Sequence, residues 1–215
     1  MNRPVVVVLL LSLGVTLGIT LAFISPEPQE RQTIEWLETP RSVGSFSLET
    51  EAGEFDNQSL EGLWTIVVFG FRHCPDVCPT SLSQLATLAR SLDGKSLGQE
   101  VVFVFVSVDP GRDSVAEVSR YARYFDSSIR GVTGSAEQLA QFAGDLGIQF
   151  KVSADNHDYT VAHSITFSII DPEGVFRGRF RPGFDAPDLV RSLTTKIEEA
   201  SFQAYLPRGL PGLRT

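Results

Sequence analysis

Two kinds of hydrophobic run alternate along this chain: short stretches that are apolar throughout, and longer ones in which apolar residues recur every three or four positions. Residues 65–70 (TIVVFG) and 101–108 (VVFVFVSV) are of the first kind, as expected of strands buried on both faces. Residues 80–92 place Leu82, Leu85, Leu88, Ala89 and Leu92 on one stripe. This predicts a helix with Pro79 at its first position and Gly94 as its stop. A second helix over 113–125 carries Val115, Val118, Ala122 and Phe125. A third, over 135–146, opens with Ser135 and Gln138 at capping-box spacing and ends at Gly147. Residues 150–152 read as a weaker strand. Residues 164–170 and 175–180 flank DPEG (171–174) and predict an antiparallel hairpin. A last helix over 187–199 carries Leu189, Val190, Leu193 and Ile197, and weak alternation over 44–55 predicts a hairpin at the start of the domain. The order β-α-β-α-(β)-α, then a hairpin and a helix, predicts an α/β fold: a mixed central sheet flanked by helices on both faces. In open sheets of this kind the site lies beyond the carboxyl ends of the strands.

The first residues follow neither pattern. Residues 5–24 (VVVVLLLSLGVTLGITLAFI) contain no charge, and at about 1.5 Å per residue they span roughly 30 Å, the hydrocarbon core of a bilayer. Arg3 precedes the run and SPEPQE follows it, so the positive-inside rule predicts N-in, C-out. The run is longer than the apolar region of a signal peptide, no small-x-small cleavage site is evident, and no cysteine follows for a lipid anchor. Residues 1–24 are therefore expected to be an uncleaved single-pass anchor in a bacterial inner membrane, with the soluble part in the periplasm. Gly14 and Gly18 form a GxxxG pair, which allows a homodimer through the anchor. Residues 25–40, polar, acidic and proline-bearing, read as a linker. The domain is expected over 41–201 and a flexible tail over 202–215.

Composition adds one exclusion. The formal charge of −8 argues against nucleic-acid binding, which needs a basic footprint on phosphate; it is compatible with docking onto a basic partner. The 215 residues, 42% of them apolar, suffice for one domain with appendages.

The candidate chemistry lies in FGFRHCPDVCPTSL (69–82), which holds both cysteines, Cys74 and Cys78, each followed by proline. A cysteine pair between the first core strand and its helix makes the expected fold thioredoxin-like. Three readings compete: a structural staple, a redox pair, or a soft-metal site. A bridge closing five residues contributes about 2 kcal/mol at best, which a domain of this size scarcely needs. At a helix start, two thiols can face one side. Pro75 and Pro79 disfavour helical angles at Cys74 and Cys78, and the helix N-terminus is expected to lower at least one thiol pKa. Neighbouring thiolates exchange with disulfides, or hold Cu(I) or Zn(II). Two sulfurs are a poor complete site, and the natural third ligand is a histidine. His163, in DYTVAHSITFSII, sits where a loop feeds a buried strand, although a lone histidine there is more often packed or solvated. His73 adjoins Cys74 and is expected to point away; His157 reads as an exposed loop residue. Structural zinc would want a fourth protein ligand.

Three segments in order, FGFRHCPDVCPTSL, VFVSVDPGRDS and DYTVAHSITFSIIDPEG, resemble the Sco/SenC family, membrane-anchored copper chaperones for cytochrome c oxidase. The resemblance covers about residues 46–193. It implies a thioredoxin-like fold and copper ligands at Cys74, Cys78 and His163, for both Cu(I) and Cu(II). It also implies delivery to the dinuclear copper centre of oxidase subunit II, and family members are linked to thiol reduction of that subunit's cysteines. No turnover chemistry is implied and no catalytic residue is assigned. Because a Cys74–Cys78 disulfide cannot bind metal as thiolate, copper loading should depend on a thioredoxin-like reductant. The alternative function is a periplasmic thiol–disulfide oxidoreductase. Two positions depart from the family pattern: Ala162 stands where an acidic residue usually precedes the histidine, and Arg72 where threonine is frequent. Asp158 or Asp109 are candidates to compensate for the missing carboxylate.

Overall fold

The computed structural model describes residues 34–94, 100–155, 158–163 and 165–205. In chain order its elements are β1 (Glu35–Ser42), β2 (Ser47–Thr50), β3 (Gly53–Asp56), β4 (Trp64–Gly70), α1 (Val77–Leu92), β5 (Val101–Ser107), α2 (Val115–Phe125), β6 (Ile129–Val132), α3 (Ala136–Asp145), β7 (Phe150–Asp155), β8 (Asp158–His163), β9 (Phe167–Ile170), β10 (Val175–Phe180) and α4 (Ala186–Tyr205).

The two apolar runs become the middle of the sheet. Strands β4 and β5 pair in parallel from Trp64↔Val101 to Gly70↔Ser107, and β6 extends the parallel part. On the other side β9 runs antiparallel to β4, then β10 and β1 follow, giving the order β1-β10-β9-β4-β5-β6. All seven residues of β4 are buried because both faces are covered. Ile66, Val68, Phe103 and Phe105 point toward α1, α2 and α4, packing in one cluster with Leu82, Leu85, Val118, Leu189 and Leu193. Val67, Phe69, Val104 and Val106 face the other way, onto α3 and the β2–β3 hairpin through Leu139, Phe142, Leu48 and Phe55. The two-residue period of a strand produces this division, so the expected mixed sheet with helices on both faces is what forms.

Several boundaries differ from the sequence expectations. The tether expected over 25–40 gives way at Glu35 to an edge strand. Trp36 and Leu37 pack against the two cores, and Glu35 makes two hydrogen bonds with Arg179, at 2.8 and 2.9 Å. Pro40 is tolerated because β1 is an edge and its register shifts between Trp36 and Arg41. Helix α1 begins at Val77, so Cys78 lies inside its first turn despite the proline that follows. A proline there deletes no helical bond, since the first N–H groups of a helix have no intrahelical acceptor. At α2, Ser114 and Glu117 form the capping box. Strand β6, only four residues long and containing Arg130 and Gly131, supplies the strand that the expected order allowed without locating. Helix α4 runs to Tyr205, past the expected start of the tail at Phe202. Strands β7 (Phe150–Asp155) and β8 (Asp158–His163) pair as a separate antiparallel ribbon, where the sequence suggests one weak strand. Among the described residues no helix is long and apolar enough to cross a membrane; the anchor expected over 5–24 lies outside them.

Candidate metal centre

The site is built at the carboxyl end of β4, where the chain leaves the sheet for α1. Cys74 N–H donates to Phe71 O at 3.3 Å, closing a turn immediately after the strand. Cys78 N–H then donates to Cys74 Sγ at 3.4 Å, which sets that sulfur over the first turn of α1. Neither cysteine is in a disulfide, and both are buried, with 7% and 2% of their surface exposed. A Cβ at Gly70 would stand 2.7 Å from the Phe105 ring and 3.1 Å from Cys78 Sγ, so this sulfur lies directly against the end of the strand. Phe71, Cys74 and Cys78 form one small apolar cluster, against which Ile165 packs.

Burial changes the expected thiol chemistry. It pushes the Cys78 thiol far above its ordinary range, and the hydrogen bond with Cys74 and the charges of Cys74 and Asp113 push the same way. The expected lowering by the helix terminus therefore does not hold at Cys78. A helix dipole contributes about 0.3–1 kcal/mol at a surface, too little to offset desolvation of a sulfur anion that is 2% exposed against the strand end. Tyr121 of α2 is pushed up to about 12, chiefly by burial and then by the charges of Cys78 and Cys74. A pH dependence follows for the metal-free, reduced protein. Only thiolate alkylates, and the Cys78 thiol stays mostly protonated throughout the accessible range. Its iodoacetamide rate should rise about tenfold per pH unit between about pH 7 and 9 without a plateau; mass spectrometry of the labelled peptide reads this. A plateau below pH 9 would contradict the buried placement.

Next to the cysteines lies a polar group from the β5–α2 turn. Asp113 accepts the Arg72 N–H at 2.9 Å and the Ser107 hydroxyl at 2.6 Å. The Arg72 guanidinium reaches Asp113 at 3.5 Å and Glu117 at 3.1 Å. His73 is half exposed, with Nδ1 3.6 Å from Asp113 Oδ1. His73, Asp109 and Asp113 come close enough to share a cation. However, Asp109 is already paired with Arg112 at 2.7 Å and Asp113 with Arg72, so two guanidinium charges stand where a metal would have to enter. Asp109 is buried and anchors its own turn through Arg112.

The structure thus brings Cys74 and Cys78 together. His163 is the last residue of β8, its main chain paired with Phe150. Strand β9 follows, antiparallel to β4 from Thr65↔Ile170 to Val68↔Phe167. His157 lies outside the described residues. Asp113 and Tyr121 are the site residues that sequence reasoning missed. The available signal was VDPGRDS, whose last residue, Ser114, stands three before Glu117: a capping box just after an acidic turn, at the carboxyl end of the strongest strand.

A family model described as SCO1/SenC matches residues 35–198. Protein SCO2 homolog, mitochondrial, of Mus musculus is 32% identical over 182 residues, covering 83% of this chain and 71% of that protein. Among solved structures, copper-bound ScoI of Arabidopsis thaliana aligns with a TM-score of 0.65 at 35% identity, over 73% of this chain and 98% of that one. Copper-bound yeast Sco1 aligns with a TM-score of 0.67 at 31% identity, over 79% and 97%. The central mixed sheet with helices on both faces is common to this chain and those structures.

Proposed function

The chain belongs to the SCO1/SenC family, and on that footing we propose that it is a membrane-anchored copper-binding metallochaperone. It holds copper with Cys74, Cys78 and His163 and delivers it to the dinuclear copper site of cytochrome c oxidase subunit II. The anchor is residues 5–24, in a bacterial inner membrane, with the copper-binding domain in the periplasm. The observation that carries this reading is the packing of Ile165 against the cluster of Phe71, Cys74 and Cys78, because the chain only two residues past His163 is thereby held beside the cysteine cluster.

The donor set suits the cargo. Thiolates select Cu(I), and an added imidazole lets the same site hold Cu(II). Copper must displace the proton that burial keeps on Cys78, so loading releases protons and the ion's charge offsets the desolvation of the sulfur. The outer side of the loop is open, with Pro75, Asp76 and Val77 exposed. A partner's thiolates can therefore approach there and replace the ligands one at a time.

The test uses the full chain in detergent, reduced and titrated separately with Cu(I) and Cu(II). Wild type should take up near-stoichiometric copper. His163→Ala should lose most Cu(II) binding while keeping Cu(I) on the two thiols and keeping disulfide exchange. Equal Cu(II) binding by both proteins would defeat the three-ligand reading. A second reading, a thiol–disulfide oxidoreductase recharged by a thioredoxin-like reductant, is favoured by the adjacent reduced sulfurs, one accepting the other residue's N–H at 3.4 Å. It predicts that His163→Ala supports normal assembly of the client's copper centre despite its lost Cu(II) binding, where the copper-delivery reading predicts failure.

A further inference from the structure

We propose that Asp113 is a positioning residue for the copper ligands, tying the root of the cysteine loop to the β5–α2 turn; the inference rests on the metal-binding reading above. Its carboxylate has no exposed surface, yet its bonds run to the two residues that immediately precede Cys74. Oδ2 accepts the Arg72 N–H at 2.9 Å and the Ser107 hydroxyl at 2.6 Å. Oδ1 faces the Arg72 guanidinium at 3.5 Å and His73 Nδ1 at 3.6 Å. Arg72 braces the same connection from outside through the Arg112 carbonyl at 3.4 Å and Glu117 at 3.1 Å.

Burying a carboxylate is costly unless its oxygens are fully used. Here they are used on a main-chain donor of the loop, something no apolar side chain could hold. The neighbouring buried carboxylate, Asp109, bonds Arg112 at 2.7 Å, three residues further along the same turn. Asp113 is thus the group that converts the fixed position of β5 into a fixed position for Cys74. Two thiolates that act as a chelate depend on that. If the loop root shifts, Cys74 moves relative to Cys78, whose place against the strand end at Gly70 is set by the sheet and α1 instead.

The full chain in detergent is compared with Asp113→Asn, which keeps the size and one accepting oxygen but loses the charge, and with Glu117→Gln, which removes the charge facing Arg72 while glutamine can still accept the Ser114 N–H of the capping box. Without copper, hydrogen exchange at the Arg72 amide should be at least about tenfold faster in Asp113→Asn, the size expected for weakening a charge-assisted hydrogen bond. Amides of β5 should be unchanged. With copper, this variant should keep its stoichiometry, change its Cu(II) electron paramagnetic resonance signal and yield copper to a chelator at least about tenfold faster. Glu117→Gln should behave as wild type in both arms. The proposal is overturned if the Arg72 amide exchanges at the wild-type rate, if β5 amides speed up in parallel, or if the copper signal and release rate are those of wild type. A wild-type protein that takes up no copper would refute the metal reading instead, while the exchange arm still reports on the loop.

Discussion

Replacing Cys78 by serine should reduce copper binding by more than the roughly 10–100-fold that loss of an outer-shell partner costs, while leaving the fold in place. For Cu(I) the effect should exceed that of His163→Ala, because this sulfur has no substitute nearby. It is 2% exposed, sits in the first turn of α1, and is within 3.1 Å of where a Gly70 Cβ would be. No described side chain other than Cys74 brings a soft donor into the cluster with Phe71 and Ile165. A hydroxyl is close to the thiol in size but is a hard, neutral donor with little affinity for Cu(I). Competition with a Cu(I) chelator measures the loss. Retention of wild-type affinity would mean that the metal sits elsewhere.

The largest expected effect on stability lies away from the cysteines, at Gly131 of β6. An added Cβ would stand 2.6 Å from the main-chain N and Cα of Ser119 and from the Val118 carbonyl oxygen. These are backbone atoms in the middle of α2, so no side-chain rotation relieves the clash; the helix must lift from the sheet. Overpacking of this kind costs about 3 kcal/mol, at the upper end of the usual range. Gly131→Ala should therefore lower Tm by roughly 6–12 °C for a domain of this size. Calorimetry of the metal-free protein checks this, and an unchanged Tm would mean that α2 does not approach β6 so closely. The same helix carries Tyr121 and Glu117 and follows directly on Asp113, so the variant should also loosen the polar brace beside the cysteines.

The sheet was legible because its central strands are covered on both faces: TIVVFG and VVFVFVSV have no polar face to disguise them. DPEG was legible because its roles are local: Asp171 accepts the N–H groups of Glu173 and Val175, and Gly174 adopts φ +72°. Strand β1 was hidden because its pattern, EWLETPRS, is set by tertiary partners that local sequence does not reveal. Its apolar residues divide between two cores, and Glu35 finds Arg179 from the far end of the chain. Helix α1 starts at Val77, two residues before Pro79, because a first-turn proline marks a helix start without fixing it and is compatible with helix on either side. The cysteine pair could be read directly from spacing. The thiol pKa could not: dipole and burial oppose each other at Cys78, and only the position of the strand end decides which dominates. Asp113 escaped notice because its partners, Arg72 and Ser107, come from other segments, and nothing local distinguishes it from an ordinary acidic residue before a helix.

The account depends on one copper ion being held by sulfur from the loop after β4 and by the imidazole at the end of β8. Copper X-ray absorption on the loaded wild type and His163→Ala proteins tests this most directly. The wild type should give two sulfur scatterers together with the outer-shell pattern of one imidazole, and His163→Ala should keep the sulfurs and lose the imidazole. A sulfur-only spectrum in the wild type, or an imidazole signal that persists in the variant, would contradict it.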